Sequence, residues 1–443
     1  MSAQGLAAPR GSQFGVRMVA SGLIGNVIEW YDWFSYGLLA SVFAGQIFPS
    51  KDPIDSILAV FAAYAVGFFI RPVASLILSP FGDRYGRRGL MALSVGLMGL
   101  ASLTLALNPT YDSVGLLSPI ILLFARLLQG LSAAGEYQSS ISYILENAPQ
   151  HRRGFISGLI NVSSGVSILA ATISANLVTS LIPQPALANW GWRLPFFFGA
   201  LLAIFGLYLR TRIPESETFI AIEKRGKVAA TPLRTVFRRY PKQLLQVAAI
   251  QFVGVPYYLW STFIPTYAHL VSHIPLGLAL TGNTIGLIIY LFALPTVGRL
   301  SDRYGRKPFL FASAIGLILL VYPCILLLHS PSFAAYLTAN IVGWLLLSMI
   351  EALSPTIAVE LIPPAVRVTG IGVPYQISTA VLAGTAPLVA SWLISIGHPT
   401  YIAFYVIIIM IIAGIIFLTI PETKGRSITA EPTTETVEST VSS

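Results

Sequence analysis

The chain has 443 residues, of which 55% are hydrophobic and 10% charged, with a formal net charge of +9 and a mean hydropathy of +0.75. Soluble domains carry about 25% charged residues, so this composition excludes an ordinary soluble fold. The single cysteine, Cys324, lies in an apolar run, which excludes an internal disulfide framework and argues against a catalytic thiol.

Residues 1–17 read as a short polar cytoplasmic arm carrying Arg10 and Arg17. The apolar run that follows is too long for the core of a cleavable signal peptide. Crossing a bilayer takes about 20 apolar residues, and stretches of that kind follow in order. Those of the first half are Met18–Phe48, Ile54–Pro80, Gly89–Leu107, Ser118–Ile144, Gly154–Ile182 and Trp192–Arg212. Residues 213–242 form the longest polar segment, a cytoplasmic middle loop whose second half sets Leu233, Val236 and Phe237 beside Arg234, Arg238 and Arg239. Such a basic amphipathic stretch can lie on an anionic leaflet. The second half then gives Gln243–Val271, Leu276–Leu300, Pro308–Leu328, Phe333–Glu360, Thr369–Ile396 and Tyr401–Ile420. The tail, 424–443, is rich in Thr, Ser and Glu and reads as disordered. The domain scheme is thus a bundle over 18–212, the middle loop, and a bundle over 243–423.

Alternate loops differ in Lys and Arg. One set holds Arg84, Arg87, Arg88, Arg152, Arg153, the stretch from Arg210 to Lys242, Arg303, Arg306, Lys307, Arg367, Lys424 and Arg426; the other holds Lys51, with Arg193 at a helix edge. The positive-inside rule puts the first set, and both termini, in the cytoplasm of a multi-pass protein of the cell (inner) membrane. The basic residues are therefore topology signals, and nucleic acid is not an expected partner.

The loop after the second stretch reads Gly82-Asp83-Arg84-Tyr85-Gly86-Arg87-Arg88, and the loop after the eighth reads Ser301-Asp302-Arg303-Tyr304-Gly305-Arg306-Lys307. Two copies half a chain apart, in equivalent turns, indicate a duplication in parallel orientation. The glycines permit tight reversal. Each Asp stands where it can pair with Arg or cap a neighbouring helix. Asp83, Arg84, Arg87, Asp302, Arg303 and Arg306 are accordingly candidates for a cytoplasmic gate.

These turns resemble the signature of the major facilitator superfamily. The second copy matches in full from Gly298 to Lys307, while the first carries Ser79 in place of the leading Gly. Further strings are similar to the metabolite:proton symporter branch: Gly25-Asn26-Val27-Ile28-Glu29-Trp30-Tyr31-Asp32, Gly67-Phe68-Phe69-Ile70-Arg71-Pro72, and Arg126 through Gln129 to Glu136-Tyr137. The resemblance implies an all-α membrane protein with the major facilitator fold. It would have about twelve transmembrane helices in two pseudo-symmetric six-helix bundles working by alternating access, and would function as a monomer. Members of the branch carry organic acids, shikimate-like acids, or proline and betaine, together with protons. Pro421-Glu422-Thr423-Lys424-Gly425 is shared with sugar porters, but their glutamine pair on the seventh helix is missing, since Phe252 follows Gln251.

An ionisable group at the bilayer centre costs about 2.5–3.5 kcal/mol, so the few present need a partner or a task. Glu29, Asp32, Glu136 and Glu351 fall well inside the apolar stretches, and Arg126 is the clearest base there; Arg71 lies nearer an end. Glu29, Asp32 and Tyr36 are spaced i, i+3, i+7 and share a helix face, as do Arg126, Gln129 and Glu136. A planar guanidinium suits a substrate carboxylate, which points to Arg126 as the anion ligand, with Asp32, Glu29 and Glu136 as proton carriers. Gln129, Tyr36, Tyr137, Tyr258, Tyr375, Gln376 and Glu351 complete the candidate substrate-binding set. Three of the four buried acids lie in the first half, which is expected to carry most of the coupling. There is no phosphate-binding loop for ATP, no metal-ligand spacing, no implied cofactor and no enzyme signature. The expected function is proton-coupled uptake of a small organic acid. The alternative is symport of proline- or betaine-like zwitterions through the aromatic faces, with a sugar porter further behind.

Overall fold

The computed structural model describes residues 16–85, 87–132, 141, 142, 144–146, 148–212, 232–426 and 428. Among them the regular elements are helices, and no strand occurs. In hydrocarbon every backbone N–H and C=O must be satisfied within the segment, which selects helices for apolar runs of this length.

Six helices form the first half: α1 Val16–Leu38, α2 Pro53–Tyr85, α3 Arg87–Ala106, α4 Leu117–Ser132, α5 Arg153–Leu181 and α6 Leu194–Arg212. The second half has α7 Pro241–Val271, α8 Leu276–Tyr304, α9 Lys307–Leu327, α10 Phe333–Leu361, α11 Arg367–Ser395 and α12 Tyr401–Leu418. Nine of these are long and apolar enough to cross a membrane among the described residues, and α3 and α4 contribute the shorter apolar helices Ala92–Ala106 and Leu117–Ser132. With the 23-residue α1 the set agrees with twelve passages. Large apolar side chains such as Leu201 and Ile204 on α6, Phe292 on α8 and Leu418 on α12 face outward, forming the surface that lipid covers. Burial separates inner from outer helices: 78% of the apolar window of α7 is enclosed by protein, against 33% for α12.

Several stretches expected as continuous helices are interrupted. The first ends at Leu38, and a separate helix, Ala40–Ile47, follows. α7 contains a tight 3-10 turn at Gln251–Val253 and a wide π turn at Leu259–Phe263; α11 contains a π turn at Thr379–Ala383. α10 breaks between Glu351 and Ser354, where Pro355 lacks the N–H a continuous helix needs. Conversely α2 runs on to Tyr85, so the first Asp-Arg motif begins inside a helix. Within the middle segment, Pro232–Arg239 is helical.

The halves meet along α5 and α8, with α2 beside α11 and α1 beside α7. At the cytoplasmic end of the α5–α8 seam, a Cβ on Gly154 would collide with the Gly298 carbonyl oxygen, and one on Gly298 with that of Gly154. Only glycine permits this approach. At the other end Asn176 Nδ2 donates to Thr281 Oγ1 at 3.0 Å.

Candidate transport site and its cytoplasmic closure

A cavity of about 60 Å³ lies between the halves. Trp30 of α1, Asn161 and Ser164 of α5, Tyr257 and Tyr258 of α7, Glu351 of α10 and Tyr375 of α11 contribute to its wall. The irregular turns explain why so many polar and aromatic groups converge here. The break after Glu351 ends the first half of α10 at the cavity, and the Glu351 carbonyl accepts a hydrogen bond from Asn161 Nδ2 across the seam. Gln251, in the 3-10 turn of α7, donates to Ser354 Oγ at 3.1 Å. π turns are frequent at functional sites because they re-aim side chains, and that of α11 brings Thr379 and Ala383 to the wall. The wall is aromatic and carries one carboxyl; no Lys or Arg is among the described residues that line it.

Trp30 joins this cavity to a cluster of rings in the first half. Phe34 lies 5.6 Å from Trp30 and 6.2 Å from Tyr258 between centroids, and Phe68 lies 5.2 Å from Tyr258. Inside the cluster sits Arg71, which is 2% exposed. Its guanidinium carbon is 4.2 Å from the ring centres of both Trp33 and Phe68, and 5.1 Å from that of Trp30. Its Nε and Nη2 have no hydrogen-bond partner among the described residues. Sequence reasoning assigned Arg71 to a helix end, but α2 extends over 33 residues and Arg71 falls near its middle. Only the length of that helix could have signalled this.

Arg126 occupies a second aromatic enclosure. Its guanidinium carbon is 3.2 Å from the Tyr36 ring centre, 5.3 Å from that of Trp33 and 5.5 Å from that of Tyr64. It donates to Gln129 Oε1, while its Nε and Nη2 have no partner among the described residues. The Tyr36 hydroxyl donates to the Val60 carbonyl at 2.9 Å. Asp32 is fully buried against Gly199 of α6, and neither of its carboxylate oxygens has a hydrogen-bond donor among the described residues. Asp32, Tyr36, Arg126 and Gln129 are therefore buried within the first half, off the cavity wall. Glu29 is half-buried and Gln376 buried. Of the candidate ligands, Tyr258, Tyr375 and Glu351 line the cavity. Glu136 and Tyr137 lie outside the described residues, as do the side chains of Asp83, Arg84 and Arg87.

The second copy of the Asp-Arg motif crosses the seam. Asp302 accepts from the backbone N–H groups of Gly154 and Phe155, both at 2.9 Å, so its carboxylate seats on the N-terminus of α5. Arg306 Nη1 donates to Asp302 at 2.8 Å and to Ser301 Oγ at 2.6 Å, and its Nη2 lies 3.6 Å from Glu360, an ion pair at the end of α10. Arg367 pairs with Glu146, again between halves, and Thr356 Oγ1 donates to the Arg153 carbonyl at 3.0 Å. Arg303 contributes its backbone carbonyl, which accepts from Lys424 Nζ at 2.7 Å.

The segment after α12 ties these parts together. Glu422 accepts from the N–H groups of Arg306 and Lys307 at 2.9 and 3.1 Å, capping α9. The next residues carry carbonyls that accept from Gln150 and Arg153 of the first half and Arg367 of the second. Burial pushes the Glu422 carboxyl up, but the N–H groups of Arg306, Lys424, Lys307 and Thr423 outweigh it and hold the group below its ordinary value. On the outer side, Phe61 and Phe263 meet at 5.5 Å and Gly37 packs on Thr262. Contacts between the halves thus lie toward both ends of the molecule. Glu360, Glu422, Arg153 and Arg367 were not among the gate candidates; their proximity comes from chain ends far apart in sequence.

The chain matches the Major Facilitator Superfamily profile over residues 22–374 and 276–442. It is 30% identical over 427 residues to the "Glycine betaine/proline/ectoine/pipecolic acid transporter OusA" of Dickeya dadantii (strain 3937), covering 93% of this chain and 84% of that protein. It is 31% identical over 425 residues to a "Putative proline/betaine transporter" of Staphylococcus aureus (strain COL), covering 93% and 89%. The "Proline/betaine transporter" of Escherichia coli (strain K12) is 27% identical over 424 residues, covering 93% and 84%. Among solved structures, a D-xylose-proton symporter superposes with a TM-score of 0.73 at 17% identity, covering 93% of this chain and 99% of that one. XylE from E. coli in an inward open conformation gives 0.66 at 18%, covering 93% and 98%.

Proposed function

The chain belongs to the Major Facilitator Superfamily and is a transporter, not an enzyme; on that premise we propose that it carries a small zwitterion of the proline and betaine class, together with protons. The observation that carries this reading is the chemistry of the cavity wall: Trp30, Tyr257, Tyr258 and Tyr375 around Glu351, the one carboxyl among the described lining residues. Ring faces attract an ammonium that has shed its water, and a quaternary ammonium most of all. Glu351 complements the same charge. Arg71 lies behind the Trp30 ring, 5.1 Å from its centre, and is set to meet the carboxylate end of the solute once the rings in front of it part as the halves move. The relatives named for proline and betaine support the same class.

The organic-acid reading drew on Arg126 as the anion ligand. Arg126 is enclosed by rings and Gln129 away from the wall, which favours the zwitterion. Asp32 acts as the proton carrier: a carboxyl in a dry enclosure exchanges its proton when one side of the molecule opens to water. The two halves rock apart along α5 and α8 to admit solute from either side.

Purified protein in proteoliposomes tests this reading. With an inward-directed proton gradient, labelled betaine and proline should accumulate and compete with one another, and citrate or succinate in large excess should leave both unaffected. Accumulation of a dicarboxylate with no betaine uptake overturns the assignment.

A further inference from the structure

The helix Pro232–Arg239 contributes nothing to the cavity wall, yet its side chains are arranged in a definite way. At about 100° per residue, Val236, Leu233 and Phe237 fall on one apolar arc. Val236 is buried, at 1% exposure, where the helix packs on the turn Pro364–Val366 and on the start of α11. The rest of the arc is bare: Leu233 is 43% and Phe237 56% exposed. Arg234 and Arg238 border the bare side of the arc, Arg239 borders the other, and all three are exposed. None of the three forms an ion pair with a described residue.

Depth decides what covers this face. The helix ends two residues before Pro241, where the span of α7 begins, and packs beside Arg367, where that of α11 begins. Its bare leucine and phenylalanine therefore stand beside the first turns of two spans, on the basic, cytoplasmic side. A soluble acidic partner would match the arginines but leave the two apolar side chains unexplained. We propose that Pro232–Arg239 is a docking site for anionic phospholipid of the cytoplasmic leaflet. Leu233 and Phe237 enter the acyl boundary while Arg234, Arg238 and Arg239 hold the headgroup phosphates. Because the same helix leads into α7 and rests on α11, bound lipid braces two helices that line the cavity.

The test uses the full chain in nanodiscs of phosphatidylcholine, with or without phosphatidylglycerol, and a variant carrying Arg234→Gln, Arg238→Gln and Arg239→Gln. Each arginine near the surface is worth about a fivefold change in affinity for anionic lipid. Retained phosphatidylglycerol, counted by native mass spectrometry, should thus fall on the order of a hundredfold in apparent affinity in the variant. The thermal midpoint of the natural protein should rise with phosphatidylglycerol and that of the variant should not, while both melt alike in phosphatidylcholine alone. Leu233→Ser with Phe237→Ser should weaken the same rise with the arginines intact. An equal rise in the arginine variant overturns the proposal. So does an equal rise from inorganic phosphate, which would make the site one for free anions.

Discussion

At the scale of single residues, Asp32 presents the sharpest question about proton coupling. Asp32 is fully buried and its two oxygens accept no hydrogen bond from a described residue. Burying a carboxylate without hydrogen-bond donors costs several kcal/mol, which is the physical ground for proposing Asp32 as the proton carrier. Asp32→Asn should abolish accumulation driven by a proton gradient while sparing exchange of internal for external solute in counterflow. Undiminished gradient-driven uptake refutes the role. The spacing of Glu29, Asp32 and Tyr36 was legible as one face of a helix, but not what that face meets: Asp32 packs on Gly199, whereas the Tyr36 hydroxyl is taken by the Val60 carbonyl. Periodicity fixes direction around an axis and leaves the partner helix open. Arg71 shows the same limit along the axis, since a residue placed nearer a helix end proved to lie near a helix middle.

At the scale of elements, two acids perform the same physical act on different helices. Asp302 caps α5 across the seam and Glu422 caps α9, each offering a carboxylate to backbone N–H groups that have no partner within their helix. Gly305, at φ +99°, turns the chain so that Arg306 and Lys307 present those groups to Glu422. The Glu422 carboxyl is held below its ordinary value of 4.5. Its contribution is therefore fully present above that value and is lost as pH falls through the depressed one. Glu422→Gln should lower stability at neutral pH by about 0.5–1 kcal/mol, since the group is partly exposed. The gap between the thermal midpoints of the two proteins should close as the pH is taken below the ordinary value. A gap that persists in acid removes the carboxylate from the account. The turn motif was legible because its residues are contiguous. The interruptions of α7, α10 and α11 were not, because an apolar run reads as continuous until a neighbour fixes where the backbone loosens.

At the scale of the whole molecule, the one-sided charge was readable because lipid imposes it on composition, and the duplication because the Asp-Arg turn recurs half a chain apart. The state of the transporter was not, because it depends on which contacts between halves are made at once. Here the halves touch at both ends, and at the cytoplasmic end Asp302, Arg306 and Glu360 meet with the segment after α12 laid across them. If these contacts hold that end shut, their loss must favour the form open to the cytoplasm, because the outer contacts of Phe61 and Thr262 are untouched. Ser157 reports on this directly: it is fully buried in the seam, and its Oγ accepts from the Thr356 N–H at 3.3 Å. With Cys324 replaced by Ser, a Ser157→Cys protein in inside-out vesicles should react slowly with a membrane-impermeant maleimide. Adding Asp302→Asn and Arg306→Gln should raise that rate on the order of tenfold, as a shift of about 1.4 kcal/mol in the balance of two states requires. Solute on the outer side should slow it again if the same cavity serves both faces. An unchanged rate in the double variant would mean that glycine packing of α5 on α8, rather than the charged network, keeps the cytoplasmic end closed.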